Sequence, residues 1–411
     1  MNQAADTVSE GLGTSGSERD CEQVPPHSHN HNARLNLTPA DRRRVRIVLA
    51  AIVIPVAVAT LIGCLLLWPS AERPAVHTPL TSGSIVHGQI AEVGGVDKLG
   101  NTSVTMTLDD KGVTVPLHVP FDIVSNGLEP GDRVSAIFNA AAIDSGTPYI
   151  FVDFERGIPL AALAALYVLV VALVARRKGL AAILGLAASL AVVAFFMLPA
   201  LILGKPPILV VIVGAGAMMF FSIYCAHGIS IRTTTAVIGT LCGLVITGIL
   251  AGVCVRWANL TGTLSDGAVS LYGQLGYLQM NHILVCGIIL AGLGALNDVT
   301  ISQVSAVWEL HGANPSASRF TIFRQAMTIG RDHIASTVYT LAFAYVGSAL
   351  PLLMSAAMIE RGFLDLMVVG EIAEEIVRTL VPSIGLVLAI PMTTAIATRL
   401  APVAPTRGAN Q

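Results

Sequence analysis

The sequence predicts a membrane all-α helical bundle of about eight transmembrane helices. A small extracytoplasmic β-barrel-like domain, of the OB or SH3-like type, is expected between helices 1 and 2. Three observations predict this class. Of the 411 residues, 54% are hydrophobic and only 12% charged, against about 25% charged in soluble proteins, and the mean hydropathy is +0.71. The apolar residues gather in runs long enough to cross the ~30 Å hydrocarbon core. One stretch of short, turn-punctuated β-rich segments interrupts those runs. This balance excludes a mainly disordered chain and an ordinary cytosolic enzyme. The net charge of −2 gives no sign of a nucleic-acid partner; the partner that composition demands is the lipid bilayer.

Residues 1–45 are polar and read as a disordered cytoplasmic tail. His27, His29 and His31 lie close together in it, a weak candidate for a divalent metal, against the plainer reading of a low-complexity polar tail. Arg42-Arg43-Arg44-Val45-Arg46 precedes an apolar run to Trp68. The run is too long for a cleaved leader, and basic residues stay cytoplasmic, so 46–68 is expected to be the first transmembrane helix, a signal anchor.

Residues 70–156 change character. Apolar and β-branched segments at 85–93, 103–108, 113–119, 134–138 and 149–154 alternate with Gly94-Gly95, Asp109-Asp110-Lys111-Gly112 and Glu129-Pro130-Gly131-Asp132. Segments 102–108 and 112–117 read as a hairpin. Five strands in so short a stretch suggest a small closed barrel, placed outside the cytoplasm by the charge bias of the flanking runs.

A seven-helix membrane domain is expected over 158–400. Its runs are 158–175, 180–203, 208–225, 235–255, 283–308, 334–358 and 376–400. Arg176-Arg177-Lys178 marks a cytoplasmic turn, and Arg232, Arg319, Arg324, Arg331, Arg399 and Arg407 fall on the same predicted side. Eight crossings put both termini, including a tail at 401–411, on the cytoplasmic side. Residues 359–380 read as interfacial, re-entrant or an extension of the last helix. Cys64, Cys225, Cys242, Cys254 and Cys286 lie in apolar runs and Cys21 in the tail, so no disulfide framework is expected.

The run at 235–255 carries Gly239-x-x-x-Gly243 and Gly248-x-x-x-Gly252. At 100° per residue Gly239 and Gly248 face opposite ways, so neighbours are expected to approach on both sides. The run at 283–308 is the most informative. Gly287, Ala291, Gly294, Asp298, Ser302, Ser305 and Glu309 share one helical face, small at one end, where Gly287 and Gly294 are expected to serve helix packing, and polar at the other. A carboxylate mid-helix costs roughly 2.5–3.5 kcal/mol to insert unless it faces protein or water. Asp298 is therefore either part of a polar path for an ion or small solute, or a buried acid bonded to a neighbouring helix. Arg331 is expected to pair with Glu309; Asp332, Ser336 and Thr340 share a face; Glu371, Glu375 and Arg378 share another, with Glu375–Arg378 an i, i+3 pair.

At these residues the chain resembles the YibE/F-like family of bacterial multi-spanning membrane proteins. The resemblance rests on Gly292-Leu293-Gly294-Ala295-Leu296-Asn297-Asp298-Val299 with Glu309, on Gly330-Arg331-Asp332 continuing to Ala344–Pro351, and on Glu375-Ile376-Val377-Arg378-Thr379-Leu380 with Ser383-Ile384-Gly385 and Pro391. It is expected to run from the first span to about residue 400. Three positions depart from the family pattern: Tyr339 stands for an amide, Ala335 for a glycine, and Pro382 for a glycine, where a kink is expected. The resemblance implies a cytoplasmic-membrane protein with an extracytoplasmic domain, and carries no catalytic residue or substrate.

No Walker A, H-E-x-x-H or G-x-S-x-G pattern occurs, and no cofactor or enzymatic activity is expected. Two functions remain. One is a transporter or channel for a small solute or ion, using the carboxylate stripe. The other is a non-transporting anchor or assembly factor whose outer β domain binds a protein partner. Self-association into a homo-oligomer is open in both.

Overall fold

The computed structural model describes residues 39–71, 83–96, 102–140, 143, 148–359 and 362–401. Cys21, the three clustered histidines and residues 402–411 lie outside the described residues. The first helix, α1 (Pro39–Leu66), begins earlier than expected, so residues 39–45 are helical rather than part of the tail. Proline is well suited to a first helical turn, where its missing N–H has no helical acceptor anyway.

Five strands follow: β1 (Ser84–Val96), β2 (Thr102–Leu108), β3 (Thr114–His118), β4 (Arg133–Phe138) and β5 (Tyr149–Phe154), with the short α2 (Phe121–Ser125) between β3 and β4. They close a barrel in the order β1-β2-β3-β5-β4. Only β3 and β5 run parallel. A five-stranded Greek-key barrel of this order is the OB arrangement rather than the SH3-like one. Closure depends on β1 serving two neighbours. Its first part pairs with β4 (Ser84 opposite Phe138) and its later part with β2 (Val93 opposite Val104), with a bulge between Ile90 and Glu92; bulges bend and twist a strand in this way. The expected hairpin is present, with Thr107 opposite Thr114 and Gly112 at φ +59° closing its turn. Met106, Val134 and Ala136 are fully buried at the barrel centre.

Ion pairs clamp the barrel's exterior. Glu155 accepts from Arg133 Nε at 2.9 Å and pairs with His87 Nδ1 at 2.5 Å, while Arg133 reaches Asp109 at 2.5 Å. The Arg133 hydrogen bond is the main cause holding the Glu155 carboxyl below its ordinary range, against a smaller opposing effect of desolvation. Arg156 lowers Asp153 in the same way, through a 2.7 Å bond, with the Phe154 amide adding to it.

From Gly157 the chain is helical. α3 (Gly157–Ala191) continues through a π-helical segment, Val192–Met197, into α4 (Leu198–Ile202). Two apolar runs are expected here, and the backbone breaks between them at Arg176 (φ 51°, ψ −135°). A straight helix would rise about 12 Å between Val171 and Gly179. Instead, a β-carbon on Gly179 would sit 2.8 Å from the Val171 carbonyl oxygen. The chain thus doubles back at Arg176-Arg177-Lys178, a turn whose non-glycine positive φ costs about 1–3 kcal/mol.

Next come α5 (Pro207–His227), α6 (Ile231–Trp257), the short α7 (Asp266–Gln274), α8 (Met280–Ala313), α9 (Arg319–Ser348), α10 (Leu350–Ala357), α11 (Phe363–Met367) and α12 (Gly370–Leu400). Residues 370–380 are the first part of α12, which keeps its helical course through Pro382 and Pro391. Among the described residues six helices are long and apolar enough to cross a membrane, or seven if α9 and α10, bent by 66°, form one span. α8 sits centrally, packed against α5, α6, α9 and α12.

Glycine sets the closeness of that packing, though not at every expected position. A β-carbon on Gly243 would lie 2.6 Å from Leu296 Cδ2 and 3.0 Å from Ala389 Cβ, and one on Gly239 would strike Thr393. Gly248 makes only ordinary contact with Ile289, and Gly252 has nothing within 4 Å. The second G-x-x-x-G therefore does not serve close packing among the described residues.

Candidate functional site

The orientation of α8 is set by polar bonds on three sides. Thr300 and Thr240 of α6, both fully buried, share a hydrogen bond of 2.7 Å. Gln303, 1% exposed, donates to the Ala326 carbonyl of α9 at 2.8 Å. Asn297 donates to Ser222 of α5 at 2.8 Å. Leu296 and Val299 fill the same side apolarly. Inside an apolar bundle, close packing and interhelical hydrogen bonds of this kind supply the association energy.

The fourth side is open. Gly287, Gly294, Asp298 and Glu309 are exposed, and Ala291, Ser302 and Ser305 are half-buried. β-Carbons on Gly287 and Gly294 would meet nothing within 4 Å, so these glycines do not pack against a neighbour as expected. Asp298 has no hydrogen bond or ion pair among the described residues. Among the described residues the carboxylate therefore does not serve as interhelical glue. It stands on the outer surface near the middle of α8, between the edges occupied by α5 and α9. The helical repeat reveals which residues share a face; it does not reveal whether that face turns inward or outward.

Glu309, at the far end of the stripe, pairs with Arg232 of α6 at 3.2 Å rather than with Arg331 as expected. Arg331, Asp332, Ser336 and Thr340 are exposed on α9. The Thr340 hydroxyl is used locally, donating to the Ser336 carbonyl at 3.0 Å. No hydrogen bond joins Asp298, Ser302 or Ser305 to Asp332 or Ser336 among the described residues. Tyr339 is exposed and stacks on Phe343, with centroids 6.4 Å apart.

The other end of the stripe opens on a cleft of about 400 Å³ between α7, α8 and α12. Gly287, Ser265, Met280, Glu374 and Arg378 line it. The expected pair is present: Arg378 donates to Glu375 at 2.8 Å. Glu374, only 5% exposed, was not singled out by spacing, yet its carboxylate accepts the Gly262 N–H at 2.8 Å. That bond fastens the α6–α8 connection to α12. Gly262 is in the left-handed region (φ +72°), where its approach to the Met280 carbonyl leaves no room for a β-carbon. One face of α8 thus links a cleft bearing Glu374 and Arg378, a mid-helix carboxylate, two serines and an ion pair.

The sequence profile of the YibE/F-like protein family matches residues 163–402. The match begins inside α3, so it leaves out the first helix and the barrel, which the resemblance was expected to include. Comparison with curated proteins and with solved structures yields no match.

Proposed function

We propose a function for this chain from one premise: it belongs to the YibE/F-like protein family. It is a multi-pass protein of the bacterial cytoplasmic membrane, crossing eight times. α1, the two arms of α3 to α4, α5, α6, α8, the α9–α10 pair and α12 are the crossings. The reversal at Arg176 supports counting the 157–202 helix twice. The positions of Arg42–Arg46, Arg176–Lys178, Arg232, Arg319 and Arg399 support cytoplasmic termini and an outer barrel.

Its role is non-enzymatic passage of a proton or other small cation along the open face of α8. The observation that carries this is Asp298: an ionisable group near mid-helix, exposed, and bonded to nothing among the described residues. Such groups mark ion paths in membrane helices. The face is open laterally in one chain, so a second wall is required, and another copy of the chain supplies it.

The test is reconstitution of the full chain into liposomes holding a pH-sensitive dye, with an imposed proton gradient. Flux above protein-free liposomes is expected, and D298N should reduce it to background. Equal flux in both proteins, or none in the unsubstituted one, overturns the reading. The latter result favours the second reading, a partner-binding anchor. The barrel's separate, complete core around Met106 and Val134 supports that alternative.

A further inference from the structure

We infer that Arg44, Arg319 and Arg399 form a binding site for the phosphate of an anionic phospholipid headgroup. The three side chains come from α1, α9 and α12, elements distant in sequence, yet they line one cavity of about 430 Å³. The rest of its wall includes Val45, Val48 and Leu400. None of the three arginines has a hydrogen bond or ion pair among the described residues. Three guanidinium groups brought to one cavity repel one another, and an anion relieves that repulsion.

The chemistry of the donors selects the anion. Guanidinium groups present planar, paired N–H donors that match phosphate oxygens, and they are more weakly hydrated than ammonium groups. Arg319 is the first residue of the 30-residue α9, so the positive end of that helix adds to the field. The apolar part of the wall matches the glycerol and first methylenes of a lipid rather than a freely hydrated ion. Phe320, beside Arg319, is 73% exposed, as suits an aromatic side chain at a membrane–water boundary. Arg43 and Arg46 line a separate cleft on another face of α1. Basic pockets between helix ends on the cytoplasmic side hold acidic headgroups by this combination of charge and apolar contact. The site is independent of the ion path; it relies on the proposed orientation only for the name of the leaflet, the inner one.

The experiment is native mass spectrometry of the purified full chain in neutral detergent, titrated with phosphatidylglycerol or phosphatidylcholine. Phosphatidylglycerol should be retained preferentially. R319Q and R399Q should each weaken its binding about fivefold, and the R44Q/R319Q/R399Q protein about a hundredfold. R256Q, which alters an exposed arginine at the opposite end of α6, should leave it unchanged. The single substitutions carry the test if the triple variant fails to fold. Equal retention of the two lipids, or unchanged phosphatidylglycerol affinity in R319Q and R399Q, overturns the inference. Displacement of the lipid by an equal concentration of inorganic phosphate assigns the cavity to a soluble anion and overturns the lipid source.

Discussion

Replacing Asp298 with Asn separates a working carboxylate from a structural one. Asp298 is exposed and has no partner among the described residues, so the near-isosteric amide breaks no bond seen there and leaves no buried group unpaired. Its expected effect on stability is within about 0.5 kcal/mol. D298L should be at least as stable, because the apolar side chain removes an insertion cost of roughly 2.5–3.5 kcal/mol. The contrasting substitution is T300V. The Thr300–Thr240 bond is 2.7 Å long and both residues are fully buried. Valine leaves the Thr240 hydroxyl without that partner, at an expected cost of about 1–2 kcal/mol. Unfolding of the purified protein in bicelles by added dodecyl sulfate reads these differences, and the liposome assay reads flux in the same preparations. The expected result is a crossed pattern: D298N stable and inactive, T300V destabilised and active in its folded fraction. If D298N loses as much stability as T300V, Asp298 is a structural residue and the argument from its exposure is wrong.

Three other outcomes are expected. G243A should destabilise the protein by about 1–3 kcal/mol in the same unfolding assay, because its methyl group meets Leu296 and the rigidly held Ala389; G252A, with open space around it, should be neutral or mildly stabilising. E374Q weakens the acceptor for the Gly262 amide, and hydrogen exchange at that amide should accelerate about tenfold. Glu155 titrates below its ordinary value of 4.5, so its ion pairs contribute barrel stability that is present above about that pH. The contribution is lost as pH falls through the folded-state value. Amide exchange across β1 and β4 in the full chain should rise in that window, and R133Q, which removes the main cause of the shift, should flatten the rise.

The strands were legible because alternation and turn residues are local signals. The Leu108–Val113 connection carries its own glycine at positive φ, and five strands form where alternation places them, although β1 runs on through Gly94-Gly95, which the sequence marks as a turn. The OB order was not legible, since the β3–β5 pairing joins segments far apart in sequence. The Glu375–Arg378 pair was readable for the same reason as the hairpin: its geometry follows from helical spacing alone. Glu309 was paired incorrectly because Arg232 and Arg331 carry equal charge and both lie beside predicted cytoplasmic loops; only the packing of α6 against α8 chooses between them. Glu374 was missed because its partner is a backbone amide, which no side-chain pattern records.

The outward turn of Asp298 needs a cause, since rotating α8 would hide the acid. Such a rotation breaks the bonds from Asn297, Thr300 and Gln303. At about 0.6 kcal/mol each in membrane helices, they amount to roughly 2 kcal/mol, slightly less than the acid's insertion cost of about 2.5–3.5 kcal/mol. The hydrogen bonds alone therefore do not hold the acid outward. The difference lies in fitted packing: Leu296 occupies the space left by Gly243, and Pro382 lies against Gly292, where a β-carbon would be 3.0 Å from its Cβ. Neither contact survives rotation of α8, and close van der Waals fit is a principal source of helix association in lipid. The small residues on the buried side of α8 and its partners thus help to keep a costly carboxylate on the open side. At Gly287 and Gly294 an added β-carbon would meet nothing within 4 Å among the described residues, so they leave that side smooth enough for a second wall to approach it closely.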